Sequence, residues 1–310
     1  MRVQLGQSLL GVSAGWELFA LGDGVLLRFQ FAAGVVTTTQ LPPSQSGGPV
    51  WLVAGADQVL IRPIDVVPGA VVPDGKPAQP MSARLSTQGP MFPGPDPAHV
   101  WVDSSETDPH QGFRLVAFDG TPTGARIVMP PETSSQEASP DGGGYILLPA
   151  TGGIYDAHPD GLHRITTGTL LASGPTGWLA SECDDTHRCT TVLIDRVTGA
   201  RRLVGPGRVL AGDPGLVSPD GHIAAIVTDV DKPTLSLIDL ATGHERRVEV
   251  AFHDWVPRGS LAWSPDSRWL FVIDVDGRLH AVDPSTALAR EPLTSLPRLR
   301  QLAIRPSATT

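Results

Sequence analysis

Lysine is almost missing from this chain: Lys76 and Lys232 are the only two, and Arg carries nearly all the positive charge. With 32 acidic residues against 23 Lys and Arg, the net charge is -9. That balance lacks the basic footprint that general nucleic-acid binding requires, so no nucleic-acid partner is expected. The bias toward Arg, with plentiful Ala, Gly and Pro, fits the codon usage of a GC-rich genome. Charged residues make up only 18% of the chain and aromatics 5%. No apolar run reaches the roughly 20 residues of a membrane-spanning helix. The opening MRVQLGQSLLGVSAGW is too polar at Gln4 and Gln7, and too short in its run 9–12, for a signal peptide.

Cysteine is equally scarce. Cys183 and Cys189 are the only two, in SECDDTHRCTT between the apolar stretches WLAS and TTVLID. If those stretches are neighbouring antiparallel strands, the cysteines flank one loop and approach the ~5.5 Å Cα separation of a disulfide. Two free thiols are the alternative; a metal site would need two more ligands, and His187 alone is near. Two cysteines on opposite sides of one hairpin favour the disulfide, which implies an oxidising compartment. An extracytoplasmic protein is therefore expected, its targeting segment absent from this sequence, with the cytoplasm as the alternative and membrane anchoring through upstream sequence left open.

What the chain has in quantity is Gly (34), Pro (30) and apolar residues (41%). These suit many short strands joined by tight turns and disfavour helices. The stretch LAWSPDSRWLFVIDVDGRLHAVDPSTALA, residues 261–289, contains one full unit: three apolar runs separated by SPDS, DVDG and PSTA turns. The first turn recurs as GPDP (94–97), SPDG (139–142), GPTG (174–177), SPDG (218–221), SPDS (264–267) and RPS (305–307), at steps of 35–46 residues. A second series, FDGTPTG, DAHPDG, IDRVTG, IDLATG and VDPSTA, marks the turn between third and fourth strands. Such a period signals radial repeats of four-stranded sheets.

The ends predict how the ring closes. RQLAIRPS resembles a first strand, whereas the N-terminal WELFALGDG, VLLRFQFAAG and VVTTTQLPP resemble second, third and fourth strands. One sheet shared between the termini would remove two open edges. The fold expected is all-β: one domain, 1–310, a seven-bladed β-propeller of four-stranded antiparallel blades, with six or eight blades as alternatives. The remaining units are 48–92, 93–134, 135–171, 172–210, 211–254 and 255–297; the Pro-rich second unit could instead be an insertion. A large ring recurs at the start of the second strand (Trp16, Trp101, Tyr145, Trp178, His222, Trp269) and is read as packing between blades. Short, Arg-bearing fourth strands are read as edges protected against pairing with other molecules.

SPDG before an apolar strand, then a strand ending in Asp-x-x-Thr-Gly, resembles the WD40-like repeat of TolB-type β-propellers. The resemblance covers residues 96–307 moderately and the first 90 weakly. It implies a non-catalytic interaction platform, often in the cell envelope, and supplies no catalytic residue. The Gly-His and Trp-Asp signatures of true WD-repeat proteins are absent.

Antiparallel order places second-to-third loops and blade connections on one face. That face collects carboxylates: Asp103, Glu106, Asp108, Glu182, Asp184, Asp185, Asp229, Asp231, Asp274 and Asp276, with His187 among them. An acidic rim attracts a basic protein segment or a cationic ligand, although Asp also serves simply as a turn former. These residues are the expected binding site for a protein partner or small ligand. No cofactor is expected. Ca²⁺ is the one ion considered, at Asp274/Asp276 and Asp229/Asp231, and neither stretch continues as an EF-hand. Enzyme motifs fail: Gly11-Val-Ser-Ala-Gly15 has the GxSxG pattern but precedes a strand. The alternatives to a scaffold are a lactonase, lyase or glycan hydrolase using carboxylates or a metal at the channel mouth, and a sensor domain of a membrane-anchored protein.

Overall fold

The computed structural model describes residues 2–4, 9–12, 15–42, 50–63, 69–82, 84–85, 89–104, 112–229, 231–252, 257–293 and 295–306. Runs of β-branched and apolar residues between Gly, Pro and Asp turns become strands throughout. Among the described residues, helix is confined to two short 3₁₀ segments, Leu9–Gly11 and Ser135–Glu137. No helix is long and apolar enough to cross a membrane. The chain is a β-propeller of four-stranded antiparallel sheets, the first strand of each unit lying innermost.

The termini share a sheet. Leu299–Arg305 pairs antiparallel with Glu17–Gly22, Glu17 opposite Arg305 and Ala20 opposite Leu302. The sheet continues outward through Val25–Gln30 and Val35–Gln40 and ends on Arg2–Gln4, an outer strand the sequence reading did not include. The second sheet runs Val50–Ala54, Gln58–Pro63, Ala70–Pro73 and Gln79–Pro80, so the Pro-rich stretch forms a sheet of its own. Its prolines stand at strand ends, where no ladder N–H is needed. The third comprises Met91–Pro93, His99–Asp103, Gly112–Ala117 and Pro122–Val128; the fourth, Ser139–Pro140, Ile146–Ala150, Gly153–His158 and Gly161–Thr166.

Next comes a double sheet of eight strands. Thr169–Ser173, Gly177–Cys183, Cys189–Asp195 and Arg201–Pro206 form one half; Gly215–Val217, Ile223–Thr228, Thr234–Asp239 and Glu245–Ala251 form the other. The halves join through a parallel pairing of their innermost strands. The last sheet holds Leu261–Trp263, Leu270–Ile273, Leu279–Asp283 and Leu288–Arg290. Two expected boundaries need correction: cuts after 92 and 171 fall inside Met91–Pro93 and Thr169–Ser173. The turn marks where an innermost strand ends, so the unit begins a few residues earlier.

The turns work by side-chain capture of backbone N–H groups. Asp195 Oδ1 accepts from Val197, Thr198 and the Thr198 hydroxyl; Asp239 repeats this with Ala241 and Thr242. The turn then needs a left-handed residue, supplied by Gly199 and Gly243 at φ 69° and 73°, and by Ala287 at 59° in the last sheet. In the SPD turns, Ser218 and Ser264 donate to Asp220 and Asp266 at 2.6 Å, fixing the carboxylates in the turn.

The recurring rings pack between sheets. Trp16, Phe29 and Phe31 of the terminal sheet meet Trp269 and Phe271 of the last. Trp101 and Phe113 pack on Ile146 and Leu148 of the fourth sheet, and Trp101 Nε1 donates to the Gly144 carbonyl at 2.8 Å. Trp178 closes on Leu147 and Ile165. His222 alone of the series is exposed. The Arg residues of the outer strands also reach neighbouring sheets: Arg201 donates to the Ile165 carbonyl, Arg202 to Leu240 and Arg246 to Ser285. These Arg side chains staple sheets together, as well as charging an edge.

Candidate binding channel and loop face

Because the first strand of every unit lies innermost, these strands together enclose a central cavity of 540 Å³. Its wall takes residues from every sheet, among them Trp51, Phe92, Pro140, Ser173, Leu216, Leu261 and Leu302, and is largely apolar side chain, Pro and Gly. Among the described residues, the charged groups of the lining occur as two pairs. At the end of the SPD-type turns, both oxygens of Asp96 lie 2.8 Å from His99 Nδ1, and Asp96 also accepts from the Ala98 N–H at 2.8 Å. Partial burial works to raise the Asp96 carboxyl, but the His99 and Ala98 hydrogen bonds outweigh it and hold the group below its ordinary value.

At the other mouth Arg258 reaches across the channel. Its backbone N–H donates to Asp213 at 2.9 Å, its Nη2 stands 3.4 Å from the same carboxylate, and its Nη1 donates to the Ala138 carbonyl of the fourth sheet. The guanidinium also lies 6.0 Å from the Phe92 ring centroid of the third sheet. Burial pushes the Arg258 guanidinium below its ordinary value while Asp213 opposes the shift. One side chain thus ties the last, double, third and fourth sheets at the channel mouth. Sequence reasoning missed Arg258 and Asp213. Both stand just before an innermost strand, in VPRGSLAW and GDPGLV, so aligning the strand heads is the signal that could have found them.

The acidic loop face surrounds this mouth, and much of its charge is spent locally. Asp184 Oδ1 accepts from the Thr186 hydroxyl and from the Thr186 and Arg188 N–H groups, closing the cysteine hairpin; those bonds hold its carboxyl below the ordinary value. His187 sits in that turn with φ 60°. Cys183 and Cys189 are directly opposed and disulfide-bonded, with a Cα separation of 3.9 Å. Glu182 pairs with Arg201 and accepts from the Thr166 hydroxyl at 2.6 Å, away from the channel; partial burial opposes these contacts, which nonetheless lower its value.

Asp274 turns inward, its side chain 8% exposed, to meet His280 Nε2 at 2.8 Å while capping the Asp276 and Arg278 N–H groups. Asp276 faces Arg278 at 3.5 Å. Asp103 is 1% exposed and accepts from the Ser135 hydroxyl at 2.7 Å. Asp229 accepts from the Lys232 N–H at 3.3 Å. Asp185, Asp229 and Asp231 are exposed. Glu106 and Asp108 lie outside the described residues, as does Ser13 of the GxSxG pattern. Among the described residues, no three His, Cys, Asp or Glu side chains converge as metal ligands, at Asp274/Asp276 or elsewhere.

No protein-family description matches the sequence, and no curated protein matches it. Solved structures do match in fold. Oligogalacturonate lyase in complex with manganese aligns over 93% of this chain and 98% of its own, at 12% identity and a TM-score of 0.57. A putative 6-phosphogluconolactonase from Bacteroides fragilis aligns over 95% and 99%, at 12% identity and a TM-score of 0.51. TolB from Acinetobacter baumannii is also among them, over 94% and 83%, at 14% identity and a TM-score of 0.48. The likeness is one of fold. A β-propeller is shared with proteins of different activities, and activity must be argued from the channel and its rim.

Proposed function

We propose that this chain is a non-catalytic binding module that takes a protein partner or small ligand at the loop face around the channel. The carrying observation is the channel itself: a largely apolar passage whose charged lining groups are already matched as Asp96 with His99 and Asp213 with Arg258. Matched pairs offer shape and surface, whereas a hydrolase or lyase needs several carboxylates or imidazoles converging on one point. The ring is read as seven blades. Leu171 and Leu179 of one half of the double sheet pack on Val217 and Ile226 of the other, just as neighbouring sheets pack elsewhere, which supports counting the halves separately. The disulfide supports an extracytoplasmic location.

The working rim is narrowed to Asp185 and Asp231, since Asp184 and Asp229 serve their own turns. The test is capture of partners from a cell-envelope extract by wild type and by an Asp185→Lys/Asp231→Lys variant. Capture that weakens and loses its salt dependence in the variant supports this surface; unchanged capture overturns it. Measured turnover of oligogalacturonate with Mn²⁺, or of 6-phosphogluconolactone, would overturn the non-catalytic reading.

A further inference from the structure

We propose that Asp141, Asp156, His158 and Arg196 form a one-proton switch that tightens or loosens the turn 139–145 at the channel mouth. The cluster lies where the fourth sheet meets the double sheet. Asp141 is wholly buried; its Oδ1 accepts the Gly143 and Tyr145 N–H groups, both at 2.7 Å, and its Oδ2 pairs with Arg196. Arg196 comes from the neighbouring unit, sits 4.8 Å over the Trp178 ring and donates to the Asp141 carbonyl at 3.0 Å. A Cβ at Gly143 would stand 1.7 Å from Arg196 Nη1, so the turn rests directly on the guanidinium. Ser139, Pro140 and Gly142 to Gly144 of the same turn line the channel.

Asp156, 6% exposed, completes the cluster. One carboxylate oxygen lies 2.9 Å from His158 Nε2, and the other has no hydrogen-bond partner. His158 stacks on Tyr145 at 3.9 Å and meets His163 edge-on at 5.3 Å; His163 is the register partner of Asp156 and lies 3.5 Å from Asp160. Among the described residues, Arg196 is the fixed cation here; it pairs with Asp141 and acts on Asp156 through its charge. One further proton, held on Asp156, brings the cluster to neutrality, with His158 Nε2 hydrogen-bonded to the same carboxyl group.

Burial, helped by the negative charge of Asp141, holds the Asp156 carboxyl above its ordinary value of 3.8, against the opposing His158 and Arg196. A raised value gives stability that is complete below pH 3.8 and lost as pH climbs through the raised value. The protonated cluster is therefore the tight form. Loss of the proton leaves an unbalanced buried charge beside the turn, which relaxes. This holds whatever ligand the channel takes, so it stands apart from the binding proposal.

The test is amide hydrogen exchange at Gly143 and Tyr145, corrected for intrinsic rates, in wild type and in Asp156→Asn, followed upward from about pH 4 to pH 8. Protection in wild type should fall by up to about tenfold per pH unit from about pH 4 upward, for as long as the folded cluster keeps the proton that the open form has lost, then level off; in the variant it should stay level throughout. Parallel profiles would overturn the switch. Should Asp156→Asn fail to fold, the ¹³C carboxyl shift of Asp156 in the wild-type protein decides: titration above the ordinary carboxylate range sustains the switch, and titration at or below it refutes it.

Discussion

Arg305 Nη1 lies 2.9 Å from Glu17 Oε2, a buried pair between residues 288 positions apart. Neither partner is alone. Glu17 also accepts from Arg28 Nε and Nη2, at 3.0 and 2.6 Å, and from Gln30. Asp74 of the second sheet takes Arg305 at 2.8 Å and Arg28 at 2.9 Å. The Phe19 ring lies 4.6 Å from the Arg305 guanidinium. Two Arg and two carboxylates thus fasten tail strand, head strand and adjacent sheet at one point.

Removing one member of a buried ionic group leaves the rest uncompensated. Arg305→Met is expected to cost roughly 3 kcal/mol in urea denaturation, the low end for a broken buried pair because Arg28 still serves both carboxylates. A loss under about 1 kcal/mol would mean that strand pairing alone closes the ring.

Acid should act through the turn carboxylates. Asp195 and Asp239 are held below their ordinary 3.8, chiefly by the backbone N–H groups of Thr198 and Thr242 and then by those residues' hydroxyls. Groups lowered in this way contribute stability that is full above the unfolded value and lost as pH falls through the folded one. Below about pH 4 the melting temperature should drop, and less steeply in an Asp195→Asn/Asp239→Asn variant. Identical acid limbs in both proteins would show that these turns do not govern the loss.

Reduction of Cys183–Cys189 opens a short loop, its two cysteines six positions apart in sequence. Loop-closure entropy for so small a ring predicts roughly 2 kcal/mol of lost stability. Equilibrium denaturation with and without a dithiol reductant measures it, and Cys183→Ser/Cys189→Ser should match the reduced protein. A larger loss, spread beyond the hairpin, would show that Gly207, packed beside Cys189, depends on it.

The fold was legible because its signals are local. The apolar run Trp269 to Ile273, the Ser264-Pro-Asp266 turn and the Asp239-to-Gly243 turn each report on a few consecutive residues, and repetition turned them into an architecture. Closure was legible from the strand types at the two ends. The channel was not, since each innermost strand contributes only a few residues and nothing in sequence joins Arg258 to Asp213 or Ala138. The acidic rim was legible only as composition. That Asp274 faces inward to His280, or that Asp103 is buried, depends on how the loop turns. Arg196 seemed a turn residue of its own unit, and its work on Asp141 appears only once two sheets pack.

The pairing of Leu299–Arg305 with Glu17–Gly22 orders events in time as well as space. A ribosome makes the head strands early, and they wait with one edge open until residues 299–305 have emerged. Folding of that first sheet is thereby deferred until those residues are made, and a chain that stops short of them carries an exposed edge that chaperones or other copies can seize.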